Sequence, residues 1–377
     1  MNVGINGYEA VVPRFGFKSE GLPNRVGSSE FCYQLLVNLK KLEDRNKYFV
    51  YLPTKPSKDM PEESENWQYK VFSSKKLWTL YGLTKKLSNN QQALSVFFSP
   101  THYLPLFSSI PSVISILDVS YLHFPDLFNK KDLYQLKIWG GYSIRKAQKI
   151  ITISEASKND IIKLYGVPEK KVAVTYPGIR IKQSKKMSKN ELARKYGVEK
   201  DFILFVGTLQ PRKNITRLIE AFSKMKNKDL ELVIVGKKGW QFEEILSAPK
   251  RFEASSRVKF LHDVSDEDLP SFYQNALFFI LPSLYEGFGL PVLEAMQYEC
   301  PVITSNVSSL PEAGGDAALY IDPENTSDIT NKMEKLADDE NLRKEMVEKG
   351  KRQAAKFSWE KTAKETLKVL EEVGNGI

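Results

Sequence analysis

Short apolar runs alternate with amphipathic stretches along nearly the whole chain. In the first half, NVGING and KYFVYLP read as strands. Between them SSEFCYQLLVNLKKLE repeats its apolar residues at helical spacing. ALSVFFSP and PSVISILDVS are apolar runs bounded by turn residues, YQLKIWGGYSIRKAQ reads as a helix, and KIITIS as a further strand. SEASKNDIIKLYG opens on a serine cap and closes on Gly166, as a helix does, and KVAVTYPG ends the series. IKQSKKMSKN, residues 181–190, is polar, basic and aperiodic, which predicts a linker. The alternation then restarts with FILFVGT, NITRLIEAFSKM, LELVIVG, RVKFLHDV, DLPSFYQNA, LFFILPS, PVLEAMQYE and PVITS. Strands alternating with helices of this size predict parallel sheets covered on both faces. The expected fold class is α/β, with two doubly wound domains in tandem: residues 1–180, and 181 onward.

Ligands of open α/β sheets bind beyond the carboxyl ends of the strands, so the loops after the strands are where chemistry is expected. LYEGFGLPVLEA, residues 284–295, follows an apolar strand and leads into a helix. Pro291 suits the first turn, where its missing N–H costs nothing. Gly287 and Gly289 open backbone angles closed to other residues. The N–H groups of Phe288, Gly289 and Leu290 then face outward at the positive end of the helix, an arrangement suited to phosphate. Glu294 lies about a turn into that helix and Glu286 precedes the loop. Carboxylates repel phosphate, so their expected partners are neutral hydroxyls; the simpler alternative is a helix-start charge and a salt bridge. A second strand–loop–helix, FILFVGTLQPRKNITRLIEAF, places Arg212 and Lys213 where basic residues are disfavoured. Two cations there suggest a bound anion, and they could neutralise a departing diphosphate without a metal.

Charge distribution changes the picture further. Residues 1–180 hold 25 Lys and Arg against 15 Asp and Glu, whereas the remainder is nearly balanced. A basic first half suits a negatively charged partner, or is a solvated lysine-rich surface. Clustered arginines with aromatic stripes, the mark of a nucleic-acid binder, are not found. A dinucleotide dehydrogenase would want G-x-G-x-x-G after the first strand, which NVGINGYEA lacks. Cys32 and Cys300 show no metal or redox spacing, so a reducing cytoplasm is expected. The sequence shows neither a signal pattern nor an apolar run near 18 residues.

VGTLQPRKNITRLIEAF, LVIVGKKGW, LPSLYEGFGLPVLEAM, PVITSNVSSLPEAGGDAALYIDP and FSWEKTAKETLKVL, in this order, resemble the family 4 glycosyltransferases of the GT-B fold. FFSPTHYLP and ITISEASKNDIIKLYGVPEKKVAVTYPGI extend the resemblance across nearly the whole chain, and the two glutamates match the family's E-x7-E motif. The resemblance implies two Rossmann-like domains facing across a cleft: an acceptor-side domain (1–180), a nucleotide-sugar-binding domain (181–355), and a C-terminal helix (356–377) crossing back to the first. It implies that Arg212 and Lys213 hold the donor diphosphate, with backbone donors from Phe288, Gly289 and Leu290. Glu286 is then assigned to the hydroxyls of the transferred sugar, Glu294 to the ribose, Thr208 to the phosphates and Val264 to the base. The implied reaction is retaining transfer of a hexose, with mannose from GDP-mannose the best match, to a glycan or lipid-diphosphate-linked acceptor in polysaccharide biosynthesis. The nucleotide-sugar is a donor substrate; no cofactor and no metal are expected. A basic acceptor domain suits peripheral contact with an anionic inner-membrane face, and no nucleic acid is expected.

The sequence departs from the family at ILDVS, where Leu117 replaces a histidine expected beside the transferred sugar, while Asp118 remains. A catalytically silent nucleotide-sugar-binding protein is the alternative this leaves open. His102 and His123 could compensate, or be packed side chains. Glu299 stands where the family has a small residue or glycine, at a helix end expected to be left-handed. DVSDED is expected to open a surface helix, where acidic residues are ordinary.

Overall fold

The computed structural model describes residues 1–12, 16–17, 21–42, 44–74, 77–89, 93–180 and 186–376. The chain divides into two compact units, one formed by Met1–Gly178 with Ser358–Ile377 and the other by Ile179–Phe357.

The first unit is built on a seven-stranded parallel sheet. Its strands are β1 (Asn2–Asn6), β2 (Lys47–Leu52), β3 (Trp67–Val71), β4 (Val96–Ser99), β5 (Ser112–Ser115), β6 (Lys149–Thr152) and β7 (Val172–Val174), ordered β3-β2-β1-β4-β5-β6-β7. Central strands covered on both faces are mostly apolar: β4 (VFFS) and β5 (SVIS) are wholly buried, their serines included. At the sheet edge β3, WQYKV, buries only its first residue; Trp67, Tyr69 and Val71 alternate with polar residues as in a half-exposed strand, a pattern short enough to be passed over among the longer apolar runs. The helix Glu155–Tyr165 begins where Ser154 accepts from the Ser157 amide and ends at left-handed Gly166.

The last helix, Trp359–Gly374, belongs to this unit. It lies against β4, β5 and β6 and the helix Ser28–Lys41. The Thr362 hydroxyl donates to the Tyr176 carbonyl at 2.6 Å, and Lys149 pairs with Glu372 at 2.6 Å. A Cβ on Gly178 would stand 2.0 Å from the Trp359 amide nitrogen, so only glycine permits this approach.

The second unit holds a six-stranded parallel sheet: β8 (Phe202–Val206), β9 (Glu231–Val235), β10 (Val258–Leu261), β11 (Phe278–Leu281), β12 (Val302–Ser305) and β13 (Ala318–Ile321), ordered β10-β9-β8-β11-β12-β13. The chain starts in the middle, winds out to β10, and returns to the other side of β8 with β11. That reversal creates a switch point between β8 and β11, where the loops leaving the two strands diverge and leave room for a ligand. Cys32 in the first unit and Cys300 in the second are both buried and free.

The segment expected to be a linker is shorter than its composition suggests. Residues 181–185 lie outside those described, but Lys189 already starts the helix Lys189–Tyr196. Ser188 and Glu191 form a reciprocal capping box at its start, so the S-x-x-E spacing fixes a helix where low apolar content alone predicts none.

Candidate active site

Two loops meet at the switch point of the second unit. The first leaves β8, passes Thr208 and makes one tight turn of helix at Pro211–Lys213. Asn214 follows in the left-handed region at φ +58°. Its side-chain amide donates to the Pro282 and Pro323 carbonyls at 3.0 and 2.7 Å. The second loop leaves β11, and its Leu284 amide donates to the Arg212 carbonyl at 2.9 Å. These bonds fix the backbones of both loops, so the side chains they carry meet in one arrangement.

Glu286 is the centre of that arrangement. Its Oε1 accepts from Lys213 Nζ at 2.6 Å and from the Ser283 hydroxyl at 2.6 Å, and its Oε2 from Arg212 Nη1 at 3.2 Å. Arg212 also donates to the Tyr285 carbonyl. Lys213 and Glu286 are only 8% and 7% exposed, so the ions are held largely by one another. Burial by itself would push the Glu286 carboxyl up. The charges of Lys213 and Arg212, with hydrogen bonds from Lys213 and Ser283, outweigh it and hold the carboxyl at about 2. At neutral pH Glu286 is therefore a fixed anion that can only accept hydrogen bonds.

Its backbone is gripped from the loop after β12. The Glu286 amide donates to the Ser308 hydroxyl at 3.0 Å, and the Ser309 hydroxyl donates to the Glu286 carbonyl at 2.8 Å. Beyond Glu286, Gly289 caps the helix Leu290–Gln297 at φ +104°. First-turn amides of a helix have no intrahelical acceptor, so the segment Phe288–Leu290 presents donors at the positive end of the macrodipole. Phe288 itself is buried edge-on against Phe357, with centroids 5.4 Å apart. One turn into the helix, Glu294 accepts from the Tyr273 hydroxyl at 3.2 Å. Burial, and then the Glu294 charge, push the Tyr273 phenol well above its usual range, which keeps that hydroxyl a donor.

The structure thus brings Arg212, Lys213 and Glu286 into direct contact and puts Phe288, Gly289, Leu290 and Glu294 on the same β11 connection. Thr208 lies on the β8 loop. Val264 lies beyond β10, separated from β8 by β9. Asp118 belongs to the first unit, half-buried beyond β5, where it accepts from the Ser120 amide at 2.8 Å. His123 is paired with Asp160 at 3.0 Å and is not a packed core side chain. The acidic DVSDED run leads into the helix Leu269–Asn275 and supplies its N-cap residue, Asp268, with no acidic residue in the first turn itself. Asp268 is engaged by Lys195 and the Tyr196 hydroxyl at 2.7 and 2.6 Å. Among the described residues no group of three or more His, Cys, Asp or Glu could hold a metal. Ser283, Asn214, Ser308 and Ser309 escaped the sequence reading, because a lone serine or asparagine in a loop carries no spacing signal.

Two families match the chain: residues 188–353 match "Glycosyl transferases group 1" and residues 74–183 match "Glycosyltransferase Family 4". An O-antigen chain mannosyltransferase B of Escherichia coli is 31% identical over 278 residues, 72% of this chain and 73% of the relative. The O-antigen chain mannosyltransferase RfbU of Salmonella typhimurium is 29% identical over 59% of each chain. Among solved structures, Anabaena Alr3699/HepE in complex with UDP-glucose superposes with a TM-score of 0.73 at 18% identity, covering 98% of this chain and all of the other. That last likeness concerns the fold alone.

Proposed function

Because this chain belongs to the family 4 (group 1) glycosyltransferases and has the two Rossmann-like domains of the GT-B fold, we propose that it moves a hexose, mannose from GDP-mannose, onto a glycan or lipid-diphosphate-linked acceptor with retention at the anomeric carbon. The observation that carries this reading is the buried Lys213–Glu286–Arg212 cluster at the β8/β11 switch point. The choice of mannose draws on the names of the relatives.

In this reading the donor diphosphate takes the place facing Arg212 and Lys213 and the amides of Phe288, Gly289 and Leu290, with Thr208 beside it. An ammonium has three donors and a guanidinium five, so each cation can serve Glu286 and a phosphate oxygen together. Their charge stabilises the diphosphate most as it departs, which is where electrostatic preorganisation lowers a barrier. Glu286 is too acidic to deliver a proton at neutral pH. Its part is to orient the transferred sugar by accepting from ring hydroxyls, as Glu294 does for the ribose, with Val264 on the base. The acceptor hydroxyl attacks on the face the diphosphate leaves, and the leaving phosphate takes its proton. Asp118 acts on the acceptor side, and the chemistry calls for no cofactor.

A thermal-shift comparison of GDP-mannose, UDP-glucose and ADP-glucose tests the donor. The bound donor stabilises by mass action, by about 2.7 kcal/mol at a hundredfold excess over Kd. GDP-mannose is expected to give the largest shift, and NMR of the product to show the donor's anomeric configuration. No shift with any nucleotide-sugar would remove the proposal.

A further inference from the structure

Between the connections that carry Arg212 and Val264 lies a third, the one leaving β9. The pairing of β8 with β9 runs on past the ends of both strands. The Leu209 amide donates to the Lys237 carbonyl at 2.9 Å, and the Gly239 amide to the Leu209 carbonyl at 3.0 Å. A Cβ on Gly236 would stand 1.9 Å from the Gly207 carbonyl oxygen, so glycine is what lets the two connections close up. On the other side, His262 Nδ1 donates to the Gly236 carbonyl at 2.8 Å. The β9 connection is thereby tied both to the loop of Thr208 and to the loop of Val264.

This middle connection carries Lys237, Lys238 and Trp240, all exposed. Tryptophan is otherwise kept from solvent in this chain: Trp67, Trp78 and Trp359 are buried and Trp139 is half-buried, whereas Trp240 is 39% exposed. Lys238 Nζ rests over the Phe242 ring, 5.3 Å from its centroid. Gln241 follows in the left-handed region at φ +54°, a strained conformation of the kind that recurs at ligand clamps. Adjacent strands are spaced by about 4.8 Å, so the loops of Arg212 and Val264 are about 10 Å apart. A nucleoside spanning that distance crosses the β9 connection.

We propose that Trp240 is the platform on which the donor's nucleobase stacks, and that Lys238 beside it selects guanine. The inference rests on the reading that Arg212 and Lys213 face the donor diphosphate and Val264 the base. An indole face stacks on a base whatever its hydrogen-bonding edge, but the two rings of a purine cover more of it than the one ring of uracil. A lysine ammonium only donates. Guanine offers it acceptors at N7 and O6, whereas adenine has an amino donor at the second place. Stacking therefore favours purine over pyrimidine, and the lysine favours guanine over adenine.

Isothermal titration of the full chain with GDP, ADP and UDP tests this, and GDP is expected to bind most tightly. Trp240→Ser should weaken GDP roughly tenfold and UDP less than about threefold, while Trp240→Tyr keeps most of the affinity. Lys238→Met should narrow the preference for GDP over ADP about fivefold and leave UDP unchanged. Both side chains are exposed, so melting temperatures without nucleotide should not move. GDP should also quench the tryptophan fluorescence of the parent, and quench Trp240→Tyr less. Equal losses for GDP and UDP in Trp240→Ser, unchanged affinity for both, or a parent that prefers UDP would overturn the inference and leave sugar transfer standing. A parent that binds none of the three would remove the transfer reading with it.

Discussion

Lys213 Nζ stands 2.6 Å from Glu286 Oε1 across 73 residues of sequence, with both side chains about nine-tenths buried. Removing one member of a buried pair strands the other charge, at a cost of roughly 3 kcal/mol. Arg212 and Ser283 remain to soften the loss of Lys213. Lys213→Ala is therefore expected to lower both transfer and stability, whereas Lys213→Met with Glu286→Gln recovers stability but not transfer. Urea denaturation of the two single variants and the double variant measures the coupling. Additive effects, with less than about 0.5 kcal/mol of interaction, would show that the two do not act as a buried pair.

The same cluster sets part of the acid limb of stability. Burial raises the Glu286 carboxyl, but Lys213 and Arg212 bring it to about 2, against an ordinary 4.5. A depressed folded value means the stabilisation is full above pH 4.5 and is lost as pH falls from there through about 2. The difference corresponds to something on the order of 3 kcal/mol. Urea midpoints between pH 5 and pH 2 should fall more steeply for the parent than for Glu286→Gln. Asp59 and Asp268 are also lowered, despite burial, by Arg25 and by Lys195, so the variant keeps a residual slope. Identical slopes would contradict the assignment.

Backbone signals made much of the fold legible, because they are local. The apolar runs gave the buried strands, Ser154 and Gly166 bracketed a helix, and Glu299 does end its helix left-handed, at φ +62°. The loop 284–295 was readable for the same reason: glycine, proline and helix start lie within a few residues. What stayed hidden depends on tertiary partners. Nothing near Lys213 announces that its counter-ion is Glu286, and nothing in SNVSSLPE says that Ser308 and Ser309 hold the Glu286 backbone. β3 is a different case: WQYKV alternates apolar and polar residues as a strand does, but over only five residues, and its pairing with β2 is what extends the sheet to it.

Gly289 combines two demands that no other residue meets. At φ +104° a side chain is strained, and a Cβ would stand 2.8 Å from Leu310 Cδ2. Gly289→Ala is expected to cost roughly 1–2 kcal/mol and to tilt the amides at the start of the helix Leu290–Gln297. Donor affinity, read by thermal shift with GDP-mannose, should fall by more than the stability loss explains. Unchanged affinity would mean those amides do not contact the donor.

Ser308 separates positioning from stability. Its hydroxyl accepts from the Glu286 amide at 3.0 Å, while its own backbone is left-handed at φ +51°. Ser308→Gly relieves the strain but gives up the hydrogen bond, so the two effects on stability oppose each other. Ser308→Ala gives up the bond and keeps the strain, and is expected to be the less stable variant by about 1 kcal/mol. If the hydroxyl serves to aim Glu286, both variants lose kcat by a similar factor, roughly fivefold for one hydrogen bond of ordinary strength. The donor KM should move less, since the diphosphate contacts proposed for Arg212 and Lys213 are untouched. A kcat that tracks stability, intact in Ser308→Gly and reduced only in Ser308→Ala, would show that the serine merely supports the loop.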